Sequence, residues 1–472
     1  MSDDNAADRI EEEQIAEPVI EPEFEAEIEE RRKEARMALV LSDPALTEAI
    51  VGGGAFGGAY SPLVAQNMFD THHERAIEDA KRLVEIIEVT ARTWVVRLPI
   101  VNAVVFETDE GIVLVDTGMG PGGPAILQAI RTVSDAPIHT IVYTHAHCDH
   151  SFGTWALIDD EPEIIGHADA VHRFERYVKL RGSVSRYMSQ PLASFPAGDG
   201  DWIPPTRTFR DELSITVGGE RFDLVHRRGE TDDQLYVSVP GRQAIASADY
   251  YQGFLPNAGN GKRVQRYVEE WAVALREMVA LEPRHLLPAH GDPISDDRAT
   301  IAEVLTLLAE ALEHIVAHTL DGLNARRRQD EVADSLELPE HLAGHPTLNE
   351  QYVSPADISR MVMKQYCGWW DDIPSHWAPA RFDEQAGVVC EMAGGVDAVL
   401  ARARELADSD PVMSSHLADW AWYADPTNAD TGRAVIELYT ARIVNHSGNT
   451  QEVLMYLDHM ADVQLVVDAA TP

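Results

Sequence analysis

The segment Thr144-His145-Ala146-His147-Cys148-Asp149-His150 places three imidazoles and one carboxylate within six positions. A helix cannot aim His145 and His147 the same way, whereas an extended loop can. The apolar run Ile138–Tyr143 just before it reads as a strand, so the loop is expected at a strand end. Neutral imidazole and carboxylate are the donors that a zinc-type ion prefers. The chemistry open to such a cluster is hydrolysis, because a bound cation makes water acidic enough to attack near neutral pH. A chance histidine cluster on a surface loop would leave four donors without a purpose.

One loop cannot complete two metal shells. Further donors stand at the ends of later strand-like runs: Glu230 after Arg221–His226, Asp249 after Gln243–Ala246, and His290 after Pro283–Pro288. Asp116 ends the run Ile112–Val115 and is placed to support the cluster from behind. Asp232 and Asp233 read as caps of the turn beside Glu230. Cys148 reads as a spectator, and His139, His167, His172 and His226 as structural. Trp369 and Trp370 read as core or subunit-interface residues.

These donors need a frame. Strand-like runs also cover Thr93–Leu98, Ala103–Glu107, Leu213–Val217 and Gln234–Val239. Helical stretches are expected at Glu74–Glu88, Pro124–Val133, Asp169–Lys179 and Glu269–Leu281. The mixture predicts an α/β chain built as an αββα sandwich. After Ser295 the strands stop. Amphipathic helices follow at Ala299–Leu320, Pro355–Gln365, Val396–Ala407, Met413–Tyr423 and Gly432–Asn445. The expected division is an acidic mobile tail over 1–36, an arm with the glycines Gly52–Gly54 and a helix over 37–90, a catalytic domain over 91–295, and a helical domain over 296–472.

The formal net charge is -41. That disfavours a nucleic-acid partner and an anionic membrane, since both require a basic face. An anionic substrate needs local cations near the site. No run is apolar enough over sufficient length to span a membrane, and the N-terminus does not read as a secretory signal. Three cysteines, Cys148, Cys367 and Cys390, fit a reduced cytoplasm better than a disulfide framework.

The string of motifs resembles the metallo-β-lactamase superfamily: strand–Asp116, the HxHxDH-type loop, a donor after Gly229, Asp249 at a strand end, and the late His290-Gly291. Where the common pattern has histidine, this chain has Glu230, as the alkylsulfatase branch does. The segment Lys364-Gln365-Tyr366-Cys367-Gly368-Trp369-Trp370-Asp371-Asp372-Ile373-Pro374-Ser375-His376, followed by Glu391-Met392-Ala393-Gly394-Gly395, is similar to the alkylsulfatase dimerisation domain. Ser185-Arg186-Tyr187-Met188 is similar to a substrate-side loop of those enzymes. The sequence departs from the better-known members at Asp249, where they carry a second glutamate. The sterol-carrier-like domain of those members is not expected in this chain, which argues against their long-chain detergent substrates.

The resemblance implies a metallo-β-lactamase αββα sandwich followed by an all-α dimerisation domain, working as a homodimer. It implies two zinc ions per subunit that activate a hydroxide. One takes His145, His147 and Glu230; the other takes Asp149, His150 and His290; Asp249 bridges them, and Asp149 and Asp249 act in catalysis. Two divalent ions bring four positive charges, and three carboxylates plus the hydroxide remove four. A site with histidine in place of Glu230 would keep one. The nearly neutral site suits a good leaving group such as sulfate better than an amide. The implied reaction is hydrolysis of a small alkyl sulfate to alcohol and inorganic sulfate. Lys262, Arg263 and Arg266, assisted by Asn257 and Asn260, are expected to bind the sulfate, with Tyr187 also contacting substrate. The alternative is a hydrolase of the same fold acting on a phosphodiester, lactone or thioester.

Overall fold

Val- and Ile-rich runs pair into two stacked sheets in the computed structural model, which describes residues 22–51, 74–188, 192, 195–198, 200–446 and 449–470. The first sheet has seven strands in sequence order: β1 (Glu85–Thr90), β2 (Thr93–Arg97), β3 (Asn102–Thr108), β4 (Gly111–Val115), β5 (Ile138–Val142), β6 (Glu163–His167) and β7 (Arg207–Phe209). Strands β4 to β7 pair in parallel, so each delivers its C-terminal end to the same edge. The second sheet has six strands: β8 (Glu212–Val217), β9 (Glu220–His226), β10 (Leu235–Val239), β11 (Ala244–Ala248), β12 (His285–Pro288) and β13 (Ile294–Ser295). Here β11 and β12 run parallel and the other pairs are antiparallel.

The period of two along each strand sorts its side chains between layers. In β4, Val113 and Val115 face the inner core with Leu235, Val237 and Leu287 of the second sheet. Ile112 and Leu114 of the same strand pack outward, against the helix Gly122–Ile130. The second sheet turns Tyr236, Ile245 and Leu286 outward onto the helices Val268–Ala280, Arg298–Asn324 and Pro355–Tyr366. The result is the expected αββα sandwich. The switch to helices at 296 does not break this core: Leu305, Leu308 and Leu312 share one buried cluster with Trp271 and Leu275. A separate cluster joins the helices Phe382–Ala393 through Thr450–Ala469.

Three local expectations differ from the structure. Residues 22–36, assigned above to a mobile tail, belong to the helix Pro22–Ser42. Its Leu39 and Val40 are buried in the C-terminal helical cluster, and Arg32 and Arg36 pair with Asp462 and Asp458 at 2.5 and 2.7 Å. Acidic composition masked a helix whose partners lie over 400 positions away. Residues 1–21 and Gly52–Gly54 lie outside the described residues. The helix expected over Glu74–Glu88 ends at Leu83, because Ile86 and Ile87 pair with Val96 and Val95 in β1. Strand β6, which bears His167, was not anticipated.

If the core is continuous across 296, Leu305→Ala destabilises the catalytic sandwich, not only the helical domain. The expected loss is about 2–5 kcal/mol for a fully buried leucine. Urea denaturation followed by tryptophan fluorescence measures it. A loss below about 1 kcal/mol would contradict this packing.

Candidate metal centre

The site grows from strand ends. Strand β4 stops at Asp116, whose φ of 63° turns the chain left-handed. Such a turn costs a non-glycine residue roughly 1–3 kcal/mol and persists only where its surroundings hold it. Here they do. The Asp116 carboxylate accepts from the Thr144 N–H, the Thr144 hydroxyl and His150 Nδ1, each at 2.8 Å. One carboxylate therefore fixes both ends of the 145–150 loop. The chain behind it is packed backbone to backbone. A side chain on Gly153 would collide with the Thr117 carbonyl, and one on Gly123 with the Gly153 carbonyl. A second left-handed residue, Ala248 with φ 49°, introduces Asp249 at the end of β11.

Seven side chains from four distant stretches converge there. His145 Nε2 and His147 Nδ1 lie 2.9 Å apart, and Glu230 Oε1 is 3.6 Å from His147 Nδ1. His150 Nε2 is 3.6 Å from Asp149 Oδ2 and 3.4 Å from Asp249 Oδ1. His290 Nε2 is 3.7 Å from Asp149 Oδ2 and 3.3 Å from Asp249 Oδ2. Three donor groups result: His145–His147–Glu230, His145–His150–Asp249 and Asp149–His150–His290. The first and third are the two triads expected above, and Asp249 stands between them.

The donor chemistry fits divalent cations. His150 gives its Nδ1–H to Asp116, and His290 gives its Nδ1–H to the Ile100 carbonyl at 2.7 Å. Each ring then turns an Nε2 lone pair into the pocket, the arrangement that orients ligating histidines in metal sites. His150 Nε2, Glu230 Oε2 and Asp249 Oδ1 are buried without a hydrogen-bond partner. Buried polar atoms are seldom left so, because each costs the desolvation of that group. A cation supplies the missing partner.

The charges show the same need. Burial and neighbouring cationic groups hold His145 and His147 well below the ordinary imidazole range, so both keep free lone pairs. Burial also opposes charge on His150, but Asp249, Asp149 and Asp116 more than offset it and raise its pKa. His290 is treated alike: burial works against its charge, Asp249 and Asp149 for it, and its pKa is raised to about 9. Burial lifts the Glu230 carboxyl to about 8, although Arg266 pulls it down. Without a metal, protons on histidines balance the carboxylates.

The residues expected to bind sulfate are divided. Arg266 is buried; its guanidinium bonds Glu230 Oε1 at 2.6 Å and also donates to the Asn257 carbonyl. It therefore sits behind a ligand and supports that carboxylate. Asn257 Oδ1 accepts from Asn260 Nδ2 at 3.1 Å, and both are buried in the same loop. Arg263 reaches Gln451 Oε1 at 3.2 Å and carries a buried, unpaired Nε. Burial lowers the pKa of the Lys262 ammonium to about 8; Asp458 works against the shift, and Arg263 and Arg36 add to it. The Tyr187 hydroxyl accepts from Arg176 at 2.8 Å.

Some supporting residues escaped the sequence reading. Asp233, expected only to cap a turn, accepts the N–H of Ala146 at 2.8 Å, between two ligands. Arg173 pairs with Asp232 and lies 3.6 Å from Asp233. Gln252 Nε2 donates to Asp249 Oδ2 at 3.1 Å. Only the run Asp232-Asp233 beside Glu230 gave any signal of this. His167 and His226 stack at 3.8 Å and bond backbone carbonyls, in the structural role expected. Trp369 is 76 % exposed, so it is not core.

The metal-free protein should lose stability as pH rises. His290 holds its proton up to about 9 when folded, against roughly 6.5 for a free imidazole. Its contribution is complete below 6.5 and is lost toward 9. Glu230 also binds a proton more tightly folded than unfolded, which gives the same sign up to about 8. Thermal melts of chelator-treated protein from pH 6 to 9 measure the fall. A rise over that window would contradict the charge balance described here.

Residues 96–290 match the metallo-β-lactamase superfamily model, and residues 328–464 match the alkyl sulfatase dimerisation model. A linear primary-alkylsulfatase of Pseudomonas sp. is 29% identical over 347 residues, which are 68% of this chain and 64% of that protein. An alkyl/aryl-sulfatase of Saccharomyces cerevisiae is 22% identical over 73% of this chain and 58% of its own length. The chain thus spans less than two thirds of these curated relatives. The stereoselective inverting sec-alkylsulfatase Pisa1 from Pseudomonas sp. shares the fold, with a TM-score of 0.70 at 18% identity over 94% of this chain and 77% of that one. Around this donor set, residues 96–290 thus belong with the metallo-β-lactamase superfamily, and residues 328–464 after them with the alkyl sulfatase dimerisation family.

Proposed function

We propose that the protein hydrolyses a small alkyl sulfate to an alcohol and inorganic sulfate, with two zinc ions per subunit, as a cytoplasmic homodimer. The observation that carries this reading is Glu230 in the position where a histidine would give a more cationic site. When bound, two divalent cations lower the pKa of a water molecule and polarise the ester oxygen.

The chain's own groups supply the rest. Asp116 holds His150 in the tautomer that leaves Nε2 free. Arg266 holds Glu230 Oε1 beside His147, while Oε2 is buried without a hydrogen-bond partner. Asp249, steadied by Gln252, stands between the two triads and sets their spacing. Arg263, in the basic loop that follows Asp249, is the side chain assigned here to the sulfate of the ester. The remaining candidates, Lys262, Asn257, Asn260 and Tyr187, serve this role only indirectly, by shaping the loop and the wall around it.

Support for the homodimer comes from apolar surface within the dimerisation segment. Trp377, Val388 and Met392 are 66, 56 and 84 % exposed there, together with Trp369. Support for a reducing compartment comes from Cys148, Cys367 and Cys390, all unpaired. No helix among the described residues is long and apolar enough to cross a membrane.

Zinc-loaded protein is expected to release sulfate from butyl or hexyl sulfate, and to act far more slowly on a phosphodiester, lactone or thioester. Turnover of one of those with none of the sulfates would overturn the reading. Asp149→Ala should lose metal and activity together, by at least about a thousandfold in kcat/KM for a group central to metal catalysis. Full metal content with near-normal rate would remove Asp149 from the site. Glu230→His should retain both metals while shifting substrate preference away from sulfates. Unchanged kinetics would mean that Glu230 is not a ligand.

A further inference from the structure

The helix Pro22–Ser42 lies outside both family segments, yet it bonds to each of them. Glu29, Arg32 and Arg36 recur at i, i+3 and i+7, and so share one stripe about 10 Å long. Arg32 and Arg36 pair with Asp462 and Asp458 of the helix Thr450–Ala469. Leu39 and Val40 anchor the end of the helix in the C-terminal apolar cluster. Glu29 reaches the catalytic part instead. Its Oε1 accepts from the Ser185 hydroxyl at 3.1 Å, and its Oε2 accepts from the Leu192 N–H at 2.8 Å. One carboxylate therefore fastens two points of the chain seven residues apart.

What Glu29 fastens is a wall. Ser185 and Tyr187 lie on the helix Arg181–Met188. The Tyr187 hydroxyl accepts from Arg176 Nη2 at 2.8 Å. Arg176 lines a cavity of about 300 Å³ together with Arg173, Asp232, Gln265 and Tyr267. That cavity flanks the turn of Glu230. Asp232 is two residues past Glu230, the Tyr267 N–H donates to the Gly229 carbonyl at 2.9 Å, and Gln265 precedes Arg266, which bonds Glu230. Its volume is that of a small-molecule pocket. Arginine loses much rotamer freedom when it is fixed, so the place of Arg176 in the wall depends on what holds it. Tyr187 holds it only as firmly as the helix Arg181–Met188 is itself held.

We propose that the N-terminal helix is a strap that sets one wall of the cavity beside Glu230, with Glu29 as its positioning residue. Anchored on the helix Thr450–Ala469, the strap holds the chain at Ser185 and Leu192. Tyr187 then fixes Arg176 at the cavity. The strap acts on how substrate is received and not on the metals, since Glu29 bonds none of the seven donors. Use of the cavity by substrate rests on the proposed reaction; the strap itself does not.

Amide hydrogen exchange of the full chain, read by mass spectrometry over 181–192, tests the strap without any substrate. Glu29→Ala should speed exchange there at least about tenfold, because two bonds to a charged acceptor are lost. The helix Thr450–Ala469 should stay protected in that variant. Arg32→Asp with Arg36→Asp should loosen 181–192 from a distance, since the bonds of both arginines go to the C-terminal helix. Adding Asp458→Arg and Asp462→Arg reverses both pairs and should restore protection, which guards against a folding defect. Unchanged exchange over 181–192 in Glu29→Ala would overturn the tie. Unchanged exchange there in the arginine variant, with 22–36 made labile, would overturn the strap. In turnover of butyl sulfate, Glu29→Ala should raise KM at least about threefold while kcat and metal content hold. Loosened exchange with an unchanged KM would overturn the role at the cavity. Loosened exchange in a protein that cleaves no sulfate ester would support the strap and refute the reaction.

Discussion

Charge balance in a dry pocket governs this structure. Asp116, Asp249 and Glu230 are nearly inaccessible to water, as are His145 and His150. Ionised carboxylates of this kind are tolerated in an interior only when paired and hydrogen bonded. The fold meets part of that demand from its own atoms. Asp116 takes three hydrogen bonds, Glu230 takes Arg266, and Asp249 takes Gln252 and two imidazoles. What remains is a set of inward-facing lone pairs. Divalent cations are the counter-charge that fits it.

That constraint explains the supporting shell. Asp116 and Ala248 sit in left-handed conformations at the ends of two strands, one from each sheet. Local strain is accepted where it aims a donor. Asp233 ties the turn carrying Glu230 to the amide between His145 and His147, so the two stretches cannot shift independently. Arg266 is the counterpart of the glutamate: an added negative charge in the first triad is met by a buried guanidinium behind it. Arg36 of the N-terminal helix and Arg263 of the basic loop bond the same C-terminal helix, at Asp458 and Gln451. The helical segments therefore pack against the basic loop and also expose an apolar surface.

Much of this was legible in the chain itself. The seven donors and Asp116 were found because His, Asp and Glu at strand ends are rare in a pattern otherwise apolar. The sandwich followed from the alternation of short apolar runs with helical ones. The supporting contacts were not legible. Asp233 and Gln252 are ordinary polar residues in sequence, and their partners are an amide 87 positions away and a carboxylate that exists as a partner only once β11 is formed. The helix Pro22–Ser42 reads as an acidic tail because its stabilising surface belongs to residues 458 and 462.

Sequence alone determined which groups are available: the donor types, their order, the glutamate in place of a histidine, and the basic loop. Tertiary structure decided what each group faces. It set Arg266 against Glu230 as a support for that carboxylate, and it packed an apparent tail into the C-terminal helical cluster. The physical reason is that periodicity and composition are local, whereas hydrogen bonds and ion pairs between distant segments depend on packing that no single stretch of chain encodes.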